Sequence, residues 1–323
     1  MLYTIDRVQY ANANNQYYFY EFMEVSNINS LVDNQGNLLQ PSYLWDALFK
    51  MISDVEQAKI NFLKDNQRVV RVFIFYQQGL DRYIKIEINP NGIYGNIWTY
   101  IELQKWFRWL NNIDGQSNSK ELGAARDTNL DTYLNGILRS LYKNNQFQDD
   151  NGLELTKNLL NGDSTKGFDL DLFQYIPSTG EYVIYEFLKR ENKSINNIQA
   201  HPMRYCWTDK WNDNKQKFKA LWNAKQFLNG RLLLINYSDN ESEKISIIEV
   251  LDLDNDKGIL AENKYSMSRN VFLGWLHDMS RYTSPNREYL SDFKVAHYDV
   301  DFFENFSENK KKKYGAEFSN IYI

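Results

Sequence analysis

Cysteine occurs once in the 323 residues, at Cys206, which excludes an intrachain disulfide and any multi-cysteine zinc site and suits a reducing compartment. Histidine is nearly as scarce. His201, His277 and His297 stand at spacings unlike the H-E-x-x-H of zinc hydrolases, so each reads as structural or surface. No histidine pairs convincingly with Cys206, and no G-x-S-x-G elbow is present, which removes the common nucleophilic hydrolases. The chain lacks G-x-x-x-x-G-K-[ST] and G-x-G-x-x-G, so nucleotide-driven chemistry and a Rossmann cofactor are not expected. No apolar run reaches the length of a membrane span. Met1 to Tyr10 carries Asp6 and Arg7 and has no apolar core of a signal peptide, so the expected location is cytoplasmic.

What is present is the composition of a soluble globular protein. With 43% hydrophobic and 24% charged residues the chain can bury a sizeable core, and its length accommodates one large domain or two ordinary ones. Tyrosine, phenylalanine and asparagine are abundant while alanine and glycine are few, as an AT-rich genome would produce, so aromatic abundance carries no functional argument. The net charge of -5 does not advertise a nucleic-acid binder, yet it conceals a local bias. Between Glu186 and Arg231 ten basic residues face four acidic ones, a local charge of +6, which is the footprint expected for holding a phosphate backbone.

The most informative stretch is Gly167 to Arg190, G-F-D-L-D-L-F-Q-Y-I-P-S-T-G-E-Y-V-I-Y-E-F-L-K-R. Alternation puts Asp169, Asp171, Phe173 and Tyr175 on one side of a strand, and Phe168, Leu170, Leu172 and Gln174 on the other. Pro177 to Gly180 make a turn and Tyr182 to Leu188 a second strand, so the pair predicts a hairpin with Glu186 near its end. Carboxylates inside such a hairpin are costly to dehydrate without a compensating cation or hydrogen-bond network. Asp169, Asp171 and Glu186 together make an oxygen-rich cage suited to Mg²⁺ or Mn²⁺.

An Asp, an apolar strand, a turn, and a second strand ending in Glu and Lys resemble the PD-(D/E)XK nuclease superfamily, which includes many restriction endonucleases. The resemblance implies an α/β fold with a restriction-endonuclease-like central mixed sheet flanked by helices. It implies a Mg²⁺-dependent endodeoxyribonuclease in which Asp171 and Glu186 hold Mg²⁺ or Mn²⁺, with Asp169 as an alternative or auxiliary ligand. Lys189 would touch the attacking water or the scissile phosphate. The partner would be double-stranded DNA, gripped by Arg190, Lys193, Arg204, Lys210 and Lys215 of the basic segment, and a cut through both strands would favour a homodimer.

This chain departs from the family in one respect. Two residues, Phe187 and Leu188, separate the second acid from the lysine where the family has one, so a regular strand would turn Glu186 and Lys189 to opposite faces. A β-bulge at Phe187 or Leu188 would restore the alignment. Failing that, Arg190 takes the same-face position, or a lysine from the following helix substitutes. No proline precedes Asp169 or Asp171 either. The competing readings are a catalytically inactive module of this fold that binds nucleic acid or a protein, and a nuclease directed at RNA. A ββα-metal nuclease is disfavoured, because no histidine lies on the hairpin.

Residues 1–113 predict a separate α+β domain, a natural reader of DNA sequence or modification. It would contain a strand at Tyr17–Val25, a loop over Asn27–Gln40, a helix from Ser42 through Val55, strands at Val69–Tyr76 and Tyr83–Ile88, and a helix from about Asn96. Tyr20-Glu21-Phe22-Met23-Glu24 echoes Tyr185-Glu186-Phe187-Leu188-Lys189, but with no Asp strand before it and no lysine the echo reads as coincidence. Polar residues over 114–127 predict a linker. The catalytic domain would then run over 128–323: a helix from about Thr128, a short helix bearing Glu154, the hairpin, a helix from about Asn212 stopped at Gly230, strands at Leu232–Tyr237 and Ile245–Leu251, and a helix capped by Ser268. Glu154 reads as structural rather than as a further ligand, and Lys310–Lys313 as a solvated terminus.

Overall fold

The computed structural model describes residues 2–11, 14–112, 136, 151–163, 165, 167–177, 179–190, 195, 201, 202, 206, 207, 215–240, 244–281 and 294–297. The chain is a mixed α/β protein, with a mixed sheet and six α-helices among the described residues. It divides into two compact units. One is Thr4–Leu170, and the other comprises Asp171–Ile323 with Met1–Tyr3.

The N-terminal unit begins with an antiparallel hairpin, β1 (Tyr3–Ala11) and β2 (Gln16–Glu24). Strand β3 (Val70–Tyr76) runs parallel to β2, so a crossover has to join them, and helices α1 (Pro41–Phe49) and α2 (Asp54–Asp65) form it. Strands β4 (Tyr83–Asn89) and β5 (Gly92–Trp98) add antiparallel, giving the order β1-β2-β3-β4-β5. Helices α3 (Tyr100–Asn112) and α4 (Asn151–Leu160) follow. Alternation on β2 separates two faces. Tyr18, Tyr20 and Phe22 share a core with Leu103, Phe107 and Leu110 of α3 and Leu159 and Leu160 of α4. Glu21 points the other way, and the α2 lysine Lys59 meets it there. Both faces being covered explains why β2 and β3 read as near-continuous apolar runs.

The C-terminal unit repeats that element order. Strands β6 (Phe168–Ile176) and β7 (Glu181–Lys189) form an antiparallel hairpin, helix α5 (Lys215–Leu228) crosses over, and β8 (Gly230–Tyr237) returns parallel to β7. Strands β9 (Ile245–Asp254) and β10 (Gly258–Met267) add antiparallel, α6 (Arg269–Arg281) follows, and β11 (Lys294–His297) pairs with β10. The order is β6-β7-β8-β9-β10-β11.

The repetition extends to individual contacts. Gln9 donates its side-chain amide to the Leu110 carbonyl at 2.8 Å, and Gln174 donates to the Met279 carbonyl, in both cases the last turn of the helix after the meander. Tyr20 meets Trp106 edge-on at 6.1 Å, and Tyr185 meets Trp275 in a tilted contact at 6.0 Å. The tyrosines closing each hairpin pair alike, Tyr10 with Tyr17 at 4.9 Å and Tyr175 with Tyr182 at 4.8 Å. Beyond each hairpin, the Val25 amide donates to the Tyr76 carbonyl at 2.8 Å and the Arg190 amide to the Tyr237 carbonyl at 2.7 Å.

Several expectations change. The helix expected from Ser42 through Val55 is two helices, because Ser53 forms a capping box with Glu56 and starts α2 afresh. The helix expected from Asn96 begins at Tyr100, since Gly92–Trp98 is a strand. Strands β1, β5, β10 and β11 were not expected from the sequence. The two units part after Leu170, within β6, and α4 packs on β2 and α3; the stretch 114–127, all but Gly136 of the helix from Thr128, and Lys310–Lys313 lie outside the described residues.

The stop after α5 also differs from the one expected at Gly230. Asn229 takes the left-handed conformation (φ 53°), and Gly230 is needed for space, because a Cβ there would sit 2.5 Å from the Tyr182 carbonyl oxygen across the parallel ladder. Gly230→Ala should therefore destabilise the protein by about 1–3 kcal/mol, visible as a lowered urea midpoint, whereas Gly274→Ala, on α6 with open space around it and an ordinary helical backbone, should be neutral or slightly stabilising.

Candidate metal and phosphate site

The C-terminal hairpin brings two of the expected acids together. Leu172 pairs with Tyr185 in the antiparallel register, and one step further Asp171 stands opposite Glu186. The Phe187 amide donates to Asp171 Oδ2 at 2.5 Å, which fixes the orientation of that carboxylate. Glu186 is only 4% exposed, and a charge so buried needs a partner. Lys217, in the first turn of α5, supplies it, with Nζ 2.8 Å from Glu186 Oε1. Lys217 remains partly open to solvent, its side chain 27% exposed, so a ligand could reach the ammonium.

Lys189 is elsewhere. The β7–β8 ladder runs without interruption from Tyr182 opposite Gly230 to Lys189 opposite Tyr237, so the bulge that would have aligned it is absent. Tyr185 and Phe187 lie against Trp275 and Phe272 of α6, and alternation places Lys189 on that face while Glu186 faces α5. Lys189 pairs with Asp239 at 2.9 Å on the surface. Of the sequence alternatives, the lysine from the following helix is the one in contact.

The remaining candidates are dispersed. Asp169 is exposed, two residues before Asp171 on β6. The Arg190 side chain donates from Nε to Asn236 Oδ1 at 3.0 Å. Lys215 opens α5 with its ammonium 6.0 Å from the Trp207 ring centre, while Lys193, Arg204 and Lys210 lie outside the described residues. Glu154 is exposed on α4, which packs in the N-terminal unit. No group of three or more His, Cys, Asp or Glu side chains suited to a metal occurs among the described residues.

Sequence reasoning missed the counterpart in the N-terminal unit. There the register Arg7 opposite Tyr20 sets Asp6 opposite Glu21, the Phe22 amide donates to Asp6 Oδ2 at 2.8 Å, and Lys59 of α2 pairs with Glu21. The echo between Tyr20–Glu24 and Tyr185–Lys189 is therefore no coincidence of composition: an Asp strand does precede it, and a helix lysine follows. This cluster is more enclosed, with side-chain exposures of 11%, 9% and 2% for Lys59, Asp6 and Glu21. Burial raises Asp6 above the usual carboxylate range and Glu21 well above it, and the neighbouring carboxylate adds to the rise in Glu21.

A third buried polar group also escaped notice. His201 Nε2 lies 2.8 Å from Glu262 Oε2, and Lys264 Nζ lies 2.7 Å from Glu262 Oε1, with all three side chains fully buried. Burial, together with the Lys264 and Arg190 charges, holds His201 well below the ordinary histidine range, and burial also holds Lys264 well below the ordinary lysine range.

Compared with known protein families, with curated proteins and with solved structures, the chain matches none.

Two outcomes follow from the buried trio. Glu262→Ala strands a buried cation and should cost about 3–5 kcal/mol in chemical unfolding. A histidine with a depressed folded pKa binds fewer protons than in the unfolded chain. The stability it contributes is therefore complete above the unfolded value of about 6.5 and is lost as pH falls from there through the folded value. His201→Gln should flatten that acid-side loss when urea midpoints are compared across the range.

Proposed function

We propose that the C-terminal unit is a metal-dependent nuclease, a restriction-type endonuclease acting on double-stranded DNA, with Lys217 in the role that the resemblance assigned to Lys189. The observation that carries this reading is the Lys217–Glu186 contact beside Asp171. It offers two carboxylates on adjacent strands and a partly open cation from a third element. The strand order and helix crossover are compatible with a restriction-endonuclease-like core.

The donor set fits Mg²⁺ or Mn²⁺. Hard cations prefer carboxylate oxygens, and Mg²⁺ commonly takes only one or two protein carboxylates, its other positions being water and substrate phosphate. When bound, such an ion supplies Lewis acidity at the phosphorus and a lowered pKa for its water. The protein's own groups do the rest. The Phe187 amide holds Asp171 in one orientation, so its free energy of positioning is met before substrate arrives. Glu186, anchored in the sheet between β6 and β8, keeps the second carboxylate fixed. Lys217 stands where an ammonium can neutralise charge growing on a phosphate oxygen, an effect that strengthens as water leaves the site. Lys215, two residues earlier on α5, would meet the backbone further along.

Incubating purified protein with unmodified and modified plasmid DNA, with Mg²⁺ or with EDTA, tests the proposal directly. Asp171→Ala and Glu186→Ala should abolish Mg²⁺-dependent cleavage, and Lys217→Met should lower the rate by about 10²-fold or more. Lys189→Met, which breaks only a surface ion pair, should stay within about threefold of the parent. Equal binding with Mg²⁺ and EDTA and no cutting under any condition would favour the inactive binding module.

A further inference from the structure

We propose that the N-terminal unit contains a second site for a hard divalent cation, formed by Asp6 and Glu21, so that one chain carries two cation sites. The inference rests on this unit's own geometry and does not depend on the C-terminal unit being a nuclease.

Three observations carry it. Asp6 and Glu21 are the next residues beyond the last β1–β2 ladder pair, Arg7 opposite Tyr20, with Asp6 Oδ2 tied to the Phe22 amide. Glu21 is 1% exposed, and its Oε1 is buried with no hydrogen-bond partner, while Oε2 takes the Lys59 ammonium. A buried carboxylate oxygen left without a donor is costly, and it leaves an acceptor position for a ligand. Finally, cationic partners are scarce among the described residues. Lys59 reaches Glu21 closely but Asp6 Oδ1 only at 4.0 Å, and the Asp169 and Glu56 charges also bear on Asp6. Among the described residues one ammonium thus faces two enclosed carboxyl groups.

The ligand chemistry follows from the donors. Among the described residues the converging donors are carboxylate oxygens with the Thr4 hydroxyl, which lies 3.4 Å from Lys59 Nζ, and no histidine or cysteine joins them, so Mg²⁺ or Mn²⁺ is preferred over zinc or copper. Enclosure separates this site from its C-terminal counterpart. Lys59 is 11% exposed where Lys217 is 27% exposed, which leaves little room for a polymeric phosphate. The N-terminal site is therefore a cation site without a cleavage function.

Mn²⁺ binding to the full chain, counted by electron paramagnetic resonance and titration calorimetry, tests this. Wild-type protein should bind two ions. The Asp171→Asn/Glu186→Gln chain should keep one, and adding Asp6→Asn or Glu21→Gln should remove it. Lys59→Met removes the cation that competes for the same oxygens and should tighten the remaining Mn²⁺ by about tenfold or more. Circular dichroism melts establish that each variant is folded, and the isosteric Asp6→Asn and Glu21→Gln report independently should one of them not fold. If Asp171→Asn/Glu186→Gln protein binds no Mn²⁺ while wild type binds one, the inference is overturned and the C-terminal site stands. If wild type binds one ion that is lost only with Asp6→Asn or Glu21→Gln, the N-terminal site stands and the C-terminal reading fails.

Discussion

A carboxylate on an inner strand, covered on both faces, cannot remain ionised without a cation close by. Much of this chain's layout answers that requirement. Glu21 and Glu186 each lie on the second strand of a hairpin, flanked by a parallel strand on the far side. Water has poor access to either. The compensating ammonium has to come from above the sheet, and the element above it is the crossover helix. Lys59 on α2 and Lys217 on α5 occupy that position.

Topology makes this arrangement available. Parallel neighbours need a long connection, and a helix is the usual one. Its start must then pass near the C-terminal end of the strand it has just left, where both glutamates lie. The opposite face is taken by aromatic side chains, Tyr20 and Phe22 in one unit and Tyr185 and Phe187 in the other, packed on the helix that follows the meander. A strand thus carries acid on one side and aromatic core on the other, and the alternation seen in Y-E-F records both.

The hairpin, the central apolar strands and the Ser268-capped helix were legible because their periodicity is strong. Asp171 and Glu186 were legible too, since acids inside an apolar strand are a local anomaly. The lysine was not. Its nearness to Glu186 depends on how α5 lies on the sheet, a relation of tertiary packing, whereas Lys189 was near only in sequence. Strand β1 was missed for a related reason. Asp6 and Arg7 make Tyr3–Ala11 look too polar for a buried strand, although Arg7 Nη2 donates to Gln9 and Asn111 inside the core, and with β1 went the partner that gives Tyr20-Glu21-Phe22 its meaning. The His201–Glu262–Lys264 trio joins residues some sixty positions apart, which no spacing rule connects.

The glutamine on the first strand of each hairpin sets a rotational index. Gln9 and Gln174 reach across the core to a main-chain oxygen in the final turn of the helix beyond the meander, so the strand clamps one particular azimuth of that helix. Each residue of an α-helix advances by about 100°; adding or deleting one within α3 or α6 would swing the acceptor oxygen away from the amide and carry Trp106 or Trp275 off its tyrosine. Drift in length is thereby confined to the connections, while the two helices keep a fixed count of turns.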